Sequence, residues 1–208
     1  MHPNFLKAVI AAAVISFLTG CSQAPTAPAT ETKTAEEPKK ASEPVAAQTA
    51  FFEMYKPART WATDLLPLSL ASNEIPGIRN ADGKAAMWTA VFVSPSRREA
   101  RTFFYAIADH GTTIHKGVAI GGAQTWTGTT PKSQPFQITE FAVNSDAAYK
   151  TAFGKAESWL KKHPDMPASF FLGKAARFPA PVWYVQWGTA KSGYAVFVNA
   201  TTGQAIGK

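Results

Sequence analysis

Few side chains in this sequence have the type and spacing that chemistry requires. Cys21 is the single cysteine, a thiol that can be acylated but has no partner for a disulfide or a thiolate metal site. His110 and His115 lie five apart, with Asp109 adjacent. Residues five apart on a strand point to opposite faces, so both are expected as polar loop residues and no metal ligand is assigned. His163 stands beside Pro164 at an expected helix end, where a cation complements the helix dipole. Arg97, Arg98 and Arg101 fall in one expected loop, and guanidinium forks suit phosphate or carboxylate partners. The first reading of the same loop, however, is a solvated cover that keeps a sheet edge from pairing. No G-x-S-x-G, H-E-x-x-H, phosphate-loop or dinucleotide pattern is present. Gly117–Gly122 is glycine-rich but lacks the lysine and the following helix of a phosphate cradle, and reads as a strand with a bend. The acidic residues beyond Ala50 form no pair at helical spacing on an apolar face. No catalytic or cofactor-binding residue is therefore assigned, and the chain is read as a non-enzyme without cofactor.

The first residues are an address. Lys7 supplies a positive n-region, and Ala8–Leu18 an apolar run of eleven residues. As a helix that run rises about 16 Å, against a hydrocarbon core of roughly 30 Å, so residues 1–20 read as a secretion signal, not a membrane span. Leu18-Thr19-Gly20-Cys21 follows and resembles the lipobox of bacterial lipoproteins. The resemblance implies that Cys21 becomes the acylated N-terminus, with palmitate among its chains, and that Ser22 permits sorting to the outer membrane, facing the periplasm. The alternative is an ordinary signal peptide in which Cys21 is incidental. Several acyl chains at about 0.8 kcal/mol per buried methylene make such an anchor permanent.

Residues 21–50 are rich in Pro, Ala, Thr, Glu and Lys and contain no aromatic residue. A run of that composition cannot bury enough apolar surface to offset its ordering entropy, and it reads as a disordered tether spanning roughly 30 Å. Three lysines and four glutamates give it a net charge of −1, so the +7 of the whole chain resides beyond Ala50. A basic folded part favours anionic neighbours such as lipid headgroups or acidic wall polymers. A lipid-anchored protein of the cell envelope is not expected to meet nucleic acid.

Beyond the tether, aromatic residues recur in a fixed order. Phe51, Tyr55, Ala58 and Trp61 match Tyr149, Phe153, Ala156 and Trp159 at an offset of 98, on two stretches with helical apolar spacing. The first extends to Leu65 and Leu66, with Pro57 expected to kink it or to mark its start. The second has N-cap candidates in Asn144-Ser145-Asp146 and a stop at His163-Pro164. Trp88–Val93 matches Trp183–Trp187 at 95, and Phe104–Asp109 matches Tyr194–Asn199 at 90; a longer hairpin loop in the first copy would absorb the drift. Both pairs alternate as strands do. Further strands are expected at Glu74–Ile78 and Phe170–Phe178, then Thr113–Ile120 and Ala123–Thr127, with Phe136–Val143 as a bridge. The expected architecture is α+β: two αβββ-like units, 51–143 and 144–208, each with its helix on one face of antiparallel strands.

The second unit resembles the PepSY family of bacterial envelope domains, a cystatin-like architecture. The resemblance is carried by the helix aromatics, Pro181-Val182-Trp183-Tyr184-Val185-Gln186-Trp187, and Asn199-Ala200-Thr201-Thr202-Gly203-Gln204-Ala205-Ile206. Asn199 replaces the usual Asp and Ile206 the usual Val. Locally, Asn199 can make an Asx-type hydrogen bond and Gly203 can take positive φ to turn the chain. The resemblance covers 145–208 well and the first copy loosely. It implies a small noncatalytic domain that binds or restrains other envelope proteins.

The expected function is a lipid-anchored, noncatalytic binding or regulatory module for another envelope component. One alternative is an envelope hydrolase or wall-modifying enzyme whose acid pair meets only in space. Another is a structural lipoprotein that contacts anionic polymers. Of six tryptophans, Trp61, Trp88, Trp159 and Trp183 fall at duplicated core positions. Trp126 and Trp187 are candidates for an exposed surface, and Arg97, Arg98, Arg101 and Trp126 form the expected partner-binding set. Substituting Cys21→Ala is expected to release the protein from membranes with its folding intact. Fractionation after a high-salt wash tests this, and a variant that stays embedded would contradict the anchor.

Overall fold

Strand β1 (Val45–Ala46) leads directly into helix α1 (Ala47–Trp61), and the eight-residue β2 (Leu66–Asn73) follows after a short turn. The short β3 (Lys84–Ala85) precedes a long hairpin, β4 (Met87–Ser94) and β5 (Glu99–Ala106), and then β6 (Gly117–Thr125). A 3-10 turn at Ile138–Glu140 opens the second half: helix α2 (Ser145–Leu160), β7 (Ala168–Gly173), β8 (Val182–Trp187), β9 (Tyr194–Asn199) and β10 (Ala205–Ile206). This computed structural model describes residues 43–207, all within one compact unit. The signal segment, the lipobox with Cys21 and most of the tether lie outside the described residues. Val45–Ala50, expected in the tether, instead form β1 and the start of α1.

The fold is α+β, with both helices against an antiparallel sheet. Eight strands run in the order β10-β9-β8-β7-β2-β4-β5-β6. The two repeats therefore share one sheet, joined where β2 pairs antiparallel with β7 through Leu70 and Leu172. Phe170 N–H also reaches Ser72 Oγ across this seam, at 2.9 Å. Alternation sends Trp88, Ala90 and Phe92 of β4, and Trp183, Val185 and Trp187 of β8, to the helix-bearing face, where all six are buried. Each such aromatic contributes roughly 1.5–3 kcal/mol by leaving water.

The repeat is visible in its hydrogen bonds. Trp88 Nε1–H donates to the carbonyl of Val45, just before α1, and Trp183 Nε1–H donates to Val143, just before α2. The distances are 2.9 and 2.8 Å, so each buried indole is satisfied by the chain entering its own helix. Ile107 N–H to Ala86 O and Ala200 N–H to Pro181 O form a second matching pair. Strand register corrects the offset of β5 and β9. Trp88 faces Tyr105 and Trp183 faces Val198, so the strands match at 93, not 90. Longer strands, not a longer loop, lengthen the first hairpin, because its loop is the shorter of the two.

Other boundaries shift for local reasons. Glu74–Ile78 is a turn closed by an Ile75–Ile78 bridge; the strand is β2, whose Leu70 fills the core. β7 ends at Gly173, short of Phe178. The segments expected at Thr113–Ile120 and Ala123–Thr127 are one strand, β6, with a register shift opposite Arg101–Phe103 that its Gly121-Gly122 pair accommodates. Helix α1 runs through Pro57 and stops at Trp61, so Leu65 and Leu66 lie beyond it. Burial of Phe51, Met54, Ala58 and Trp61 outweighs the roughly 3 kcal/mol of an interior proline. In α2 the buried stripe is Ser145, Ala148, Ala152, Ala156 and Leu160, whereas Phe153 is exposed. Small side chains let this helix lie close on strands already filled by large tryptophans, and that turns its aromatics to the flank.

The two helix N-termini meet, and α2 caps both. Asn144 is the N-cap of α2; its Oδ1 accepts from Ser145 N–H and also from Gln48 N–H in α1, each at 2.9 Å. Ser145 Oγ accepts from Ala47 N–H at 2.8 Å and donates to the carbonyl of Gly83. Helix α1 has no cap of its own, since Ala46 offers no side-chain oxygen. Ser145→Ala would leave a buried N–H and a buried C=O unpaired. A loss on the order of 2 kcal/mol is expected, read as a lower urea midpoint at unchanged slope. A midpoint equal to the wild type's would sink this account.

Candidate functional site

A concavity of about 450 Å³ opens beside α2, within the roughly 300–1,000 Å³ of ligand sites. Its floor is Phe170 of β7 and Trp187 of β8, and one wall is Tyr149, Phe153 and Leu160 of α2. Met166 and Pro167, in the segment between α2 and β7, close one end. The opposite wall is Arg79–Asp82, from the loop between β2 and β3.

That loop is rigid for reasons legible residue by residue. Asn80 is buried; its Nδ2 donates to Asn73 O and its Oδ1 accepts from Ala86 N–H. Ala81 and Lys84 exchange backbone hydrogen bonds around Asp82 (φ 51°) and Gly83 (φ 80°). Two successive left-handed residues make the Asp-Gly hairpin turn that twisted strands favour. A Cβ on Gly83 would lie 2.4 Å from Asp146 Cα, so this glycine also permits the loop to touch the N-terminus of α2. The turn sets Asp82 near Tyr149, and burial together with that carboxylate pushes the Tyr149 phenol up.

The cleft is apolar inside and mixed in charge at its rim. Phe153 is 43% exposed and Met166 38%, and both line the one cleft. Arg79 and Lys161 carry positive charge along the edge, and Asp82 and Glu157 negative. Glu157 is bonded to Lys161 at 3.0 Å.

The residues singled out from sequence are elsewhere. Arg97 and Arg98 occupy the tight turn between β4 and β5 and are exposed. Arg98 has φ 55°, a left-handed conformation that costs a non-glycine residue about 1 kcal/mol. Arg101 is not in this loop but in β5, with its guanidinium over the Trp61 ring at 5.2 Å. Neither Trp61 Nε1 nor Arg101 Nε has a hydrogen-bond partner among the described residues. Trp126 is half-buried, and its N–H donates to Arg98 O at 2.8 Å, which brings it beside the arginine turn. Trp187 is buried, at 1% exposure, because β8 turns it onto α2. His110 and His115 lie in the exposed loop before β6, His115 Nδ1 at 3.7 Å from Asp109. His163 follows α2 and stacks on Trp159 at 4.2 Å.

The arginine turn is organised by a carboxylate. Asp64 Oδ1 accepts from Ser94 Oγ–H at 2.6 Å, and Oδ2 from Ser96 N–H at 2.8 Å. These bonds hold the Asp64 carboxyl below its ordinary value, Ser94 being the main cause. On the sheet face opposite the helices a smaller cavity of about 190 Å³ gathers Phe171, Tyr184, Phe197, Arg177, Lys132 and Lys174. Arg177 lies over Phe178 and Phe197 at 4.6 and 5.4 Å. Lys174 is held by Glu140 at 2.7 Å. Burial raises the Glu140 carboxyl, but the Lys174 ammonium and Gln137 N–H more than offset it and hold it low.

The Asn199–Gly203 turn at the end of β9 is scaffold. Asn199 Oδ1 accepts from Thr201 and Thr202 N–H, Gly203 takes φ 76°, and Thr201 Oγ1 donates to Glu140 O. Sequence reasoning missed the cleft because it counted Phe153 as core; the Asp82-Gly83 turn was the available signal for its far wall.

No protein-family model and no curated protein sequence matches the chain. Among solved structures, a Clostridium difficile 630 protein provisionally designated a lipoprotein is similar at 9% identity with a TM-score of 0.43, over 76% of this chain and 90% of that one.

Asp64 gives the arginine turn a pH dependence. Its folded pKa lies below the ordinary 3.8, so its contribution is whole above that value and is lost as pH falls through the folded pKa. Asp64→Asn should lower Tm at about pH 7 and converge with the wild type at about pH 2. A gap that stayed constant across that range would mean the charge plays no part.

Proposed function

We propose that this protein is a lipid-anchored module of the bacterial cell envelope, held at the outer membrane by acylated Cys21 and binding another envelope component without catalysis. The observation that carries the reading is the cleft beside α2, whose exposed Phe153 and Met166 sit over an aromatic floor. Apolar surface of that kind gains from being covered. The lipobox-like segment, the tether and the PepSY-like features of 145–208 support the same reading. The tether supplies reach from the membrane, and the basic balance beyond Ala50 suits an anionic surrounding.

A hydrolase is the second reading, favoured by one observation: Asp82 and Glu157 line the same cleft from opposite walls. A contact with anionic polymers would instead use the exposed Arg97 and Arg98, with Trp126 beside them.

Lysine-directed cross-linking in intact cells separates these. The binding module predicts a specific protein adduct and no turnover of wall polymers by purified protein. Turnover that disappears in both Asp82→Asn and Glu157→Gln would replace it with the hydrolase. Polymer retention that falls with salt and with Arg97→Ala plus Arg98→Ala would favour the structural contact.

A further inference from the structure

The repeats place aromatic residues at the same three positions, two on the helix and one on the strand beneath it. Phe51, Tyr55 and Phe92 of the first correspond to Tyr149, Phe153 and Trp187 of the second, at offsets of 98, 98 and 95. In the first repeat Phe51 and Phe92 of this trio are covered and Tyr55 is half-buried. Phe51 and Phe92 have no exposed surface, and Phe141 sits edge-on to Phe51 at 5.4 Å with an 87° interplanar angle. The covering segment is held by its backbone as well, since Gln48 Nε2 of α1 donates to Phe141 O at 3.1 Å. In the second repeat Tyr149 and Trp187 lie 6.0 Å apart, Phe153 is 43% exposed, and the trio lines the open cleft.

We infer that the cleft beside α2 takes a peptide segment of a partner protein that carries an aromatic side chain, packed on the second trio as Phe141 packs on Phe51 in the first. This rests on the reading of the protein as a binding module. The chemistry of the occupant follows from three observations. The floor and one wall are aromatic, and rings pair with rings at 4.5–7 Å. The rim alternates Arg79 and Lys161 with Asp82 and Glu157, which suits the paired N–H and C=O groups and mixed charges of a peptide. A polyanion would meet repulsion from Asp82, and an acyl chain would offer no hydrogen-bonding partner to Arg79 or Asp82, whereas Glu157 and Lys161 already pair with each other. Last, the fold already demonstrates the contact once, using a stretch of ordinary chain.

Two experiments on the full chain test this. A synthetic peptide of residues 136–143, which contains Phe141, is titrated by NMR beside the same peptide with Phe141→Ala. Saturable binding is expected, at least tenfold weaker for the alanine peptide and at least tenfold weaker for a Phe153→Glu chain of unchanged Tm. No binding, equal binding of the two peptides, or undiminished binding to Phe153→Glu would overturn the inference. In cells, Phe153 is replaced by p-benzoylphenylalanine and irradiated. An adduct that maps to an aromatic-bearing segment of another protein supports it. A protein adduct without an aromatic at the contact, or a glycan or lipid adduct, overturns the aromatic peptide while leaving a binding module. No adduct at all overturns both.

Discussion

One buried hydroxyl joins the parts of this fold that sequence separates. Ser145 Oγ accepts from the first turn of α1 and donates to Gly83, in the turn that walls the cleft, while its own backbone opens α2. Two helix N-termini in contact present like partial charges. Oxygen atoms of Asn144 and Ser145 lie between them, and Asp146 adds a negative charge in the first turn of α2. Without these acceptors the repeats could share a sheet but not bring their helices end to end. The Asp82-Gly83 turn, and with it the far wall of the cleft, is referred to that junction.

The repeat is a scaffold whose symmetry is broken where it matters. Both copies anchor a tryptophan indole to the chain before their helix, and both turn a buried aromatic strand beneath it. They differ in what covers the flank. The connection from β6 to α2 must cross the first repeat to reach the second, and on the way it lays Phe136 and Phe141 into the core. No described segment makes the reciprocal crossing. The cleft is a consequence of joining two units in series, and its aromatic lining is the core that the first repeat keeps dry.

How far the sequence speaks is best judged on particular residues. Asn144 reads as an N-cap and is one, because capping is a local bond between a side chain and the backbone beside it. The Asn199–Gly203 turn likewise forms from its own hydrogen bonds and a glycine at positive φ. Arg101 shows the limit. Its neighbours Arg97 and Arg98 suggest a shared loop, but the hairpin turns early, and register carries Arg101 onto Trp61 in the strand. Trp187 has no tryptophan counterpart in the first repeat and reads from sequence as a surface residue, but β8 turns it onto α2 and buries it.

Composition and period by themselves determined that the chain has an apolar N-terminal run, a stretch without aromatics and an α+β part, and the duplicated order of helix and strands within the last. These are properties of a dozen consecutive residues, since helix and strand repeats of 3.6 and 2 are written along the chain. Tertiary structure alone decided that β2 and β7 fuse the copies into one sheet, that alanines rather than aromatics of α2 face it, and that Phe153 is left in solvent. Those outcomes depend on which volumes are already filled by residues far away in sequence, and close packing admits only one set of side chains at each place.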